Sequence, residues 1–210
     1  MMTISEIELN FINRSKDTSN EQVVIFQRNL SDIGDNKVVA WHVIPSFDYG
    51  REHPFTIPME LQVDASDAEG HHTARFSAMP GQAFDMVKEA EGYVLKRSTH
   101  AAGNPGEVEI RNKLERGPIN ANVYRGNRLL GTKSDLPPGQ KAVFQFTKSI
   151  HIGCSSEAAE GDLLDLKRLA ENTCEINMLE ISSADIVMTG GGPSQPPQPI
   201  AFHIENEVKN

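Results

Sequence analysis

The sequence predicts an all-β protein, a single-domain antiparallel β-sandwich of Greek-key-like topology with about a dozen strands and at most one short helix. Three observations carry this. Short apolar-alternating runs, cut apart by Gly, Pro, Asn and Asp, fill the chain from Thr3 to Val208. In Phe55, Ile57, Met59, Leu61 and Val63, and again in Val108, Ile110, Asn112 and Leu114, side chains repeat with the period of two that a pleated strand with one buried face requires. Almost no stretch repeats with the helical period.

The elements follow in order. Ile7, Leu9 and Phe11 alternate and then meet Asn13 to Asn20, whose side chains hydrogen-bond their own backbone and favour a turn. The runs 23–26 and 38–44 are apolar on both parities, as strands covered on both faces are, and Trp41 is expected in the core. Residues 45–54 form a polar and aromatic connection before the alternating run from Phe55 to Val63. Asp64 to His72 reads as a turn, and short runs at 74–78, 84–86 and 93–95 read as hairpins. Gly126-Asn127 between two apolar runs is a tight-hairpin signal, and Pro137-Pro138-Gly139-Gln140 is a further turn. Leu163, Leu164, Leu166 and Leu169 partly match a helical stripe, so a short helix is expected between Glu157 and Asn172. Strands are expected at 176–178, 184–188 and 200–208. The Gly- and Pro-rich stretch 189–199 is expected as a draped loop, because Gly removes backbone restraint and Pro removes donors.

Length and composition bound the function. A 210-residue chain with 38% hydrophobic residues buries roughly 70% of its unfolded surface, enough for a core without disulfide or metal staples. Residues 1–210 therefore read as one domain, with no linker and no visible internal repeat. Twenty Lys and Arg against 29 Asp and Glu give a net charge of −9, which repels phosphate backbones and argues against nucleic acid. The first residues carry neither a positive n-region nor an apolar core, and no apolar run is long enough to span a membrane, so the expected location is cytoplasmic. Cys154 and Cys174 are too few for a disulfide framework and are expected as buried thiols.

Chemistry-bearing residues are sparse. Phe47, Tyr49, Arg51 and His53 gather aromatic rings, a guanidinium and an imidazole in a non-strand segment, the composition of a ligand-binding loop. The rings would stack on a sugar or anchor a protein, and Arg51 would hold a carboxylate in bidentate fashion. His71, His72 and His100 are the candidate metal ligands, if a turn at Glu69-Gly70 gathers them, with His151 and Cys154 as a second set. The latter two are three apart on a strand and point to opposite faces unless Gly153 bulges the chain. Asp64, Asp67 and Glu69 crowd a turn and are candidate calcium oxygens. No Gly-x-Ser-x-Gly elbow is present, and no Lys-Ser or Lys-Thr follows Gly190-Gly191-Gly192 to make a phosphate cradle.

The expected function is therefore non-catalytic: a cytosolic binding or self-assembling protein that works through loops and edge strands, needs no cofactor, and pairs with itself, another protein or a glycan. The terminal runs 4–12 and 200–208 are the expected pairing edges. A cupin- or cupredoxin-like metal enzyme and a carbohydrate-binding or toxin-like module are the alternatives.

Overall fold

The computed structural model describes residues 6–16, 21–32, 36–45, 48–169, 173–192 and 198–209, the side chain of Arg168 excepted. Among them are eighteen strands and a single four-residue helix, α1 (Leu166–Leu169). Phe47 and Pro193 to Pro197 lie outside the described residues. No described helix is long and apolar enough to cross a membrane.

Contacts gather the chain into two compact units, residues 1–28, 35–59 and 147–210 in the first and 29–34 and 60–146 in the second. The first unit has a sheet of β1 (Glu6–Asn13), β5 (Glu52–Pro58), β17 (Ile181–Thr189) and β18 (Ala201–Lys209), in the order β18-β17-β1-β5. Its second sheet takes β2 (Gln22–Phe26), β4 (His42–Ile44), β14 (Ser149–Ser155) and β16 (Cys174–Asn177), in the order β16-β14-β2-β4. The two layers meet at both ends: the Cys174 thiol lies 3.7 Å from the Phe202 carbonyl, and the His42 and Phe55 ring centroids are 5.2 Å apart. A ribbon of β3 (Lys37–Val39) and β15 (Leu163–Asp165) runs into α1. Val38, Ala40, Leu164, Leu166 and Leu169 from this cap pack on Val24 and Phe26 of β2. That is why residues 23–26 are apolar on both parities: Val23 and Ile25 face one side, Val24 and Phe26 the cap. Trp41 is buried as expected.

The second unit repeats the plan. One sheet holds β6 (Leu61–Ser66), β7 (Phe76–Ala78), β11 (Ile119–Arg125) and β12 (Arg128–Leu136) in the order β12-β11-β6-β7. The other holds β8 (Ala83–Glu89), β9 (Gly92–Arg97), β10 (Val108–Asn112) and β13 (Lys141–Phe144) in the order β13-β10-β8-β9. Phe76 and Phe84 touch across the layers, centroids 6.1 Å apart. The hairpin between β11 and β12 turns at Gly126 and Asn127, both at positive φ, as the Gly-Asn signal requires.

Two expectations need correction. The sheets are not antiparallel throughout: β1 pairs with β17, and β10 with β8, in parallel. The alternating run from Phe55 to Val63 is two strands in different sheets, broken between Pro58 and Leu61. Pro58 makes the last pair of β5, with Glu6, and β6 begins at Leu61, while the side-chain alternation carries straight across the break and hides it.

The two units share one strand topology. Each joins an all-antiparallel sheet to a mixed sheet with a parallel pair at its centre. The correspondence extends to single bonds. The Gly50 amide donates to the Asn13 carbonyl at 2.6 Å, and the Gly139 amide to the Asn112 carbonyl at 2.8 Å. The Asn13 side chain accepts from the Ser15 amide, and that of Asn112 from the Leu114 amide. From these anchors and the strand registers, His42 to Ser66 corresponds without a gap to Gly131 to Ser155.

Candidate functional site

The expected binding loop is built on a structural turn. The Arg51 amide bonds the Asp48 carbonyl, with Gly50 at φ 78, and Pro137-Pro138-Gly139-Gln140 closes the same turn with Gly139 at φ 78. Tyr49 stands at the turn's tip, 69% exposed, and Arg51 is exposed beside it. The Asn13 amide bonds the Arg51 carbonyl and so extends the β1–β5 ladder, which places Arg51, His53 and Phe55 on one face of β5. His42 of β4 meets that face, its ring centroid 5.6 Å from that of His53 and 5.2 Å from that of Phe55. The Glu160 carboxylate, brought from 118 residues away, holds His42 Nδ1 at 2.5 Å. In the second unit the places of His42 and His53 are taken by Gly131 and Ala142. Sequence reasoning found His53 but missed His42 and Glu160, because an imidazole inside an apolar strand reads as core and nothing local announces its distant carboxylate.

A larger polar cluster lies on the sheet β12-β11-β6-β7. Asp64 is buried, and its Oδ1 accepts from the Asn122 side-chain Nδ2 at 2.9 Å and the Tyr124 hydroxyl at 3.2 Å. Its Oδ2 faces His72 Nδ1 at 3.3 Å and Arg75 Nε at 3.6 Å. The Arg75 guanidinium stacks on the Tyr124 ring, 3.7 Å from its centroid. Burial, and then the Asp64 charge, push the Tyr124 phenol up to about 12. Thr132 donates to Asn122, so Asp64, Asn122, Tyr124 and Thr132 form one hydrogen-bonded network, and Asn120 donates to Ser66 as a separate pair further along the same face. Residues two apart share a strand face, and Asn122 and Tyr124 stand where β2 has Val24 and Phe26. The face that the first unit seals with an apolar cap is thus polar in the second, with Arg75 and His72 at its solvent rim. The cross-strand pair Asp64 and Asn122 was the legible signal, but only once the register is known.

The expected metal ligands do not assemble. His71 Nδ1 lies 3.1 Å from Asp67 within its own turn, His72 belongs to the Asp64 cluster, and His100 contacts Thr99 in another loop. Among the described residues no three His, Cys, Asp or Glu side chains group to hold a metal ion. The Asp67 carboxylate accepts the Glu69 and His71 amides, and the His71 amide first of all holds its pKa below the ordinary value. Donors thus occupy the oxygens of Asp64 and Asp67 expected for calcium. His151 and Cys154 sit within β14. His151 stacks on Phe26, with ring centroids 5.2 Å apart, and burial lowers its pKa. Cys154 is buried, Cys174 is half-buried, and both are free thiols.

Glu109 was not singled out by the sequence, yet it is fully buried. Lys141 Nζ lies 2.6 Å and Arg111 2.7 Å from its two oxygens, and the Gly103 amide donates at 2.8 Å. Burial works to raise its pKa, but these three partners outweigh it and the pKa is lowered. Because Gly103 lies in the loop after β9 and Arg111 also bonds the Ala101 carbonyl, the group staples that loop over β10. No family model, curated protein or solved structure matches the chain.

Proposed function

We propose that the protein is a non-catalytic binding protein whose recognition surface is the polar face of β12-β11-β6-β7, and that its ligand is a glycan. The observation that carries this reading is the contrast between equivalent faces: apolar and capped over Val24 and Phe26, hydrogen-bonded and polar over Asn122 and Tyr124. The exposed His72 and Arg75 and the half-buried Asn120 and Thr132, set over the buried Asp64, Ser66 and Asn122, offer donors and acceptors of the kind that vicinal sugar hydroxyls satisfy, and the Arg75 and Tyr124 pair adds a stacking plane. Prealigned side chains lower the ordering cost of binding.

Glycan-array binding tests the reading. Arg75→Ala and His72→Ala, both at the rim, are expected to weaken binding by at least about tenfold, or about 1.4 kcal/mol. Tyr49→Ala and Arg51→Ala are the controls in the other unit. Loss of binding in the Tyr49 and Arg51 variants with none in the Arg75 and His72 variants would move recognition to the 48–53 loop. An array without signal removes the glycan reading.

A second reading, self-assembly, is supported by β18, a nine-residue edge strand beside a groove of about 360 Å³ that Cys174, Leu179, Phe202 and Ile204 help to line. The run 4–12 does not offer a second edge, because β1 is flanked by β17 and β5. Light scattering that gives a monomer at all concentrations would remove this reading.

A further inference from the structure

The two units have the same topology but opposite chain order. In the first, a half made of β1, β2, β4 and β5 is completed by β14, β16, β17 and β18. In the second, the half corresponding to β1–β5 is β10–β13, and it is completed by β6–β9, which come before it. Along the chain the halves therefore run first, second, first, second, yet each first half closes on the second half of the other repeat. The seams correspond at their ends: the Arg14 amide donates to the Met188 carbonyl at 2.8 Å, and the Lys113 amide to the Met86 carbonyl at 3.0 Å. Within the first halves, the Asn13 amide meets the Arg51 carbonyl at 3.1 Å, and the Asn112 amide the Gln140 carbonyl at 2.9 Å. The gapless correspondence of His42–Ser66 with Gly131–Ser155 covers both places where the chain crosses between units, between Met59 and Glu60 and between Phe146 and Thr147.

We propose that the chain is a tandem duplication whose repeats have exchanged their second halves, and that the closing surface of each first half accepts the second half of either repeat, in the same chain or in a second copy. Short crossings hold the exchange in place. Only Met59 and Glu60 separate β5 from β6, too little chain to fold back, and short connections of this kind favour swapped closure.

The test uses the full chain with pairs of introduced cysteines mapped by mass spectrometry after oxidative refolding. Asn10 is the Cα partner of Asp185, and its counterpart Glu109 is the partner of Ala83. With native crossings and dilute protein, Asn10→Cys with Asp185→Cys is expected to link within the chain, and Asn10→Cys with Ala83→Cys not to link. A flexible glycine-serine segment inserted at both crossings is expected to let positions 10 and 83 link. Concentrated refolding of the native-length chain is expected to give dimers linked between copies at positions 10 and 185. Protein with a strand-rich far-ultraviolet spectrum that yields neither the 10–83 linkage nor linked dimers overturns the proposal. The dimer arm needs no altered crossing, so it still decides the matter if the lengthened chain does not fold.

Discussion

At the scale of single residues, the consequential groups are buried charges held by several partners. Glu109 is the clearest. Replacing it with alanine leaves the part-buried Arg111 guanidinium and the Gly103 amide without their acceptor, while the half-exposed Lys141 stays hydrated, and is expected to cost about 1–3 kcal/mol in denaturant unfolding. Its pKa is lowered from the ordinary 4.5, so its stabilisation is fully present above that value and is lost as pH falls through the lower folded value. Glu109→Gln is therefore expected to flatten the acid side of the stability curve below about pH 4.5, measured as melting temperature against pH. A slope below pH 4.5 identical to that of the parent would refute this. His151 acts in a higher window. Burial lowers its folded pKa from the ordinary 6.5, so the unfolded chain takes up the proton first. Stability is complete above pH 6.5 and declines as pH falls from there towards the folded value. His151→Gln should remove that decline, and an unchanged slope between pH 5 and 6.5 would contradict the assignment.

At the scale of elements, the turns before β5 and β13 share one requirement. Gly50 and Gly139 both sit at φ 78, and a Cβ added at either would meet no atom within 4 Å, so an alanine there encounters backbone strain and no steric clash. Gly50→Ala and Gly139→Ala are each expected to cost about 1–2 kcal/mol, and equally so, because the same turn is being strained. Unequal losses, read from chemical denaturation, would show that the turns are not equivalent. Edge strands are defended by different means: Pro54 and Pro58 in β5, three-residue lengths in β4 and β7, and charges with a register shift in β18. Pro54→Thr restores a donor on an exposed edge and is expected to raise aggregation during refolding, followed by turbidity.

At the scale of the whole molecule, the strand rhythm, the near absence of helix, the burial of Trp41, the Gly126-Asn127 hairpin and the double-sided burial of residues 23–26 were all legible in the sequence. Each rests on local chemistry: period-two alternation, turn preferences and proline's missing donor act within a few residues. Of the candidate sites, His53, His71 and His72 were legible as residue types, but their partners were not. His42 finds Glu160, and Asp64 finds Asn122 and Tyr124, only after strands far apart in sequence are set in register. The repeat stayed hidden for a related reason. The correspondence survives in hydrogen bonds and registers, while the side chains at equivalent places differ, as His42 and Gly131 do, or Phe26 and Tyr124. What the sequence alone determined is that this chain is built of strands, and roughly where they begin and end. Which half closes on which, and therefore which face is capped and which is left polar, was decided by tertiary pairing, because backbone hydrogen bonds between strands carry no side-chain label and topology is chosen by the whole chain at once.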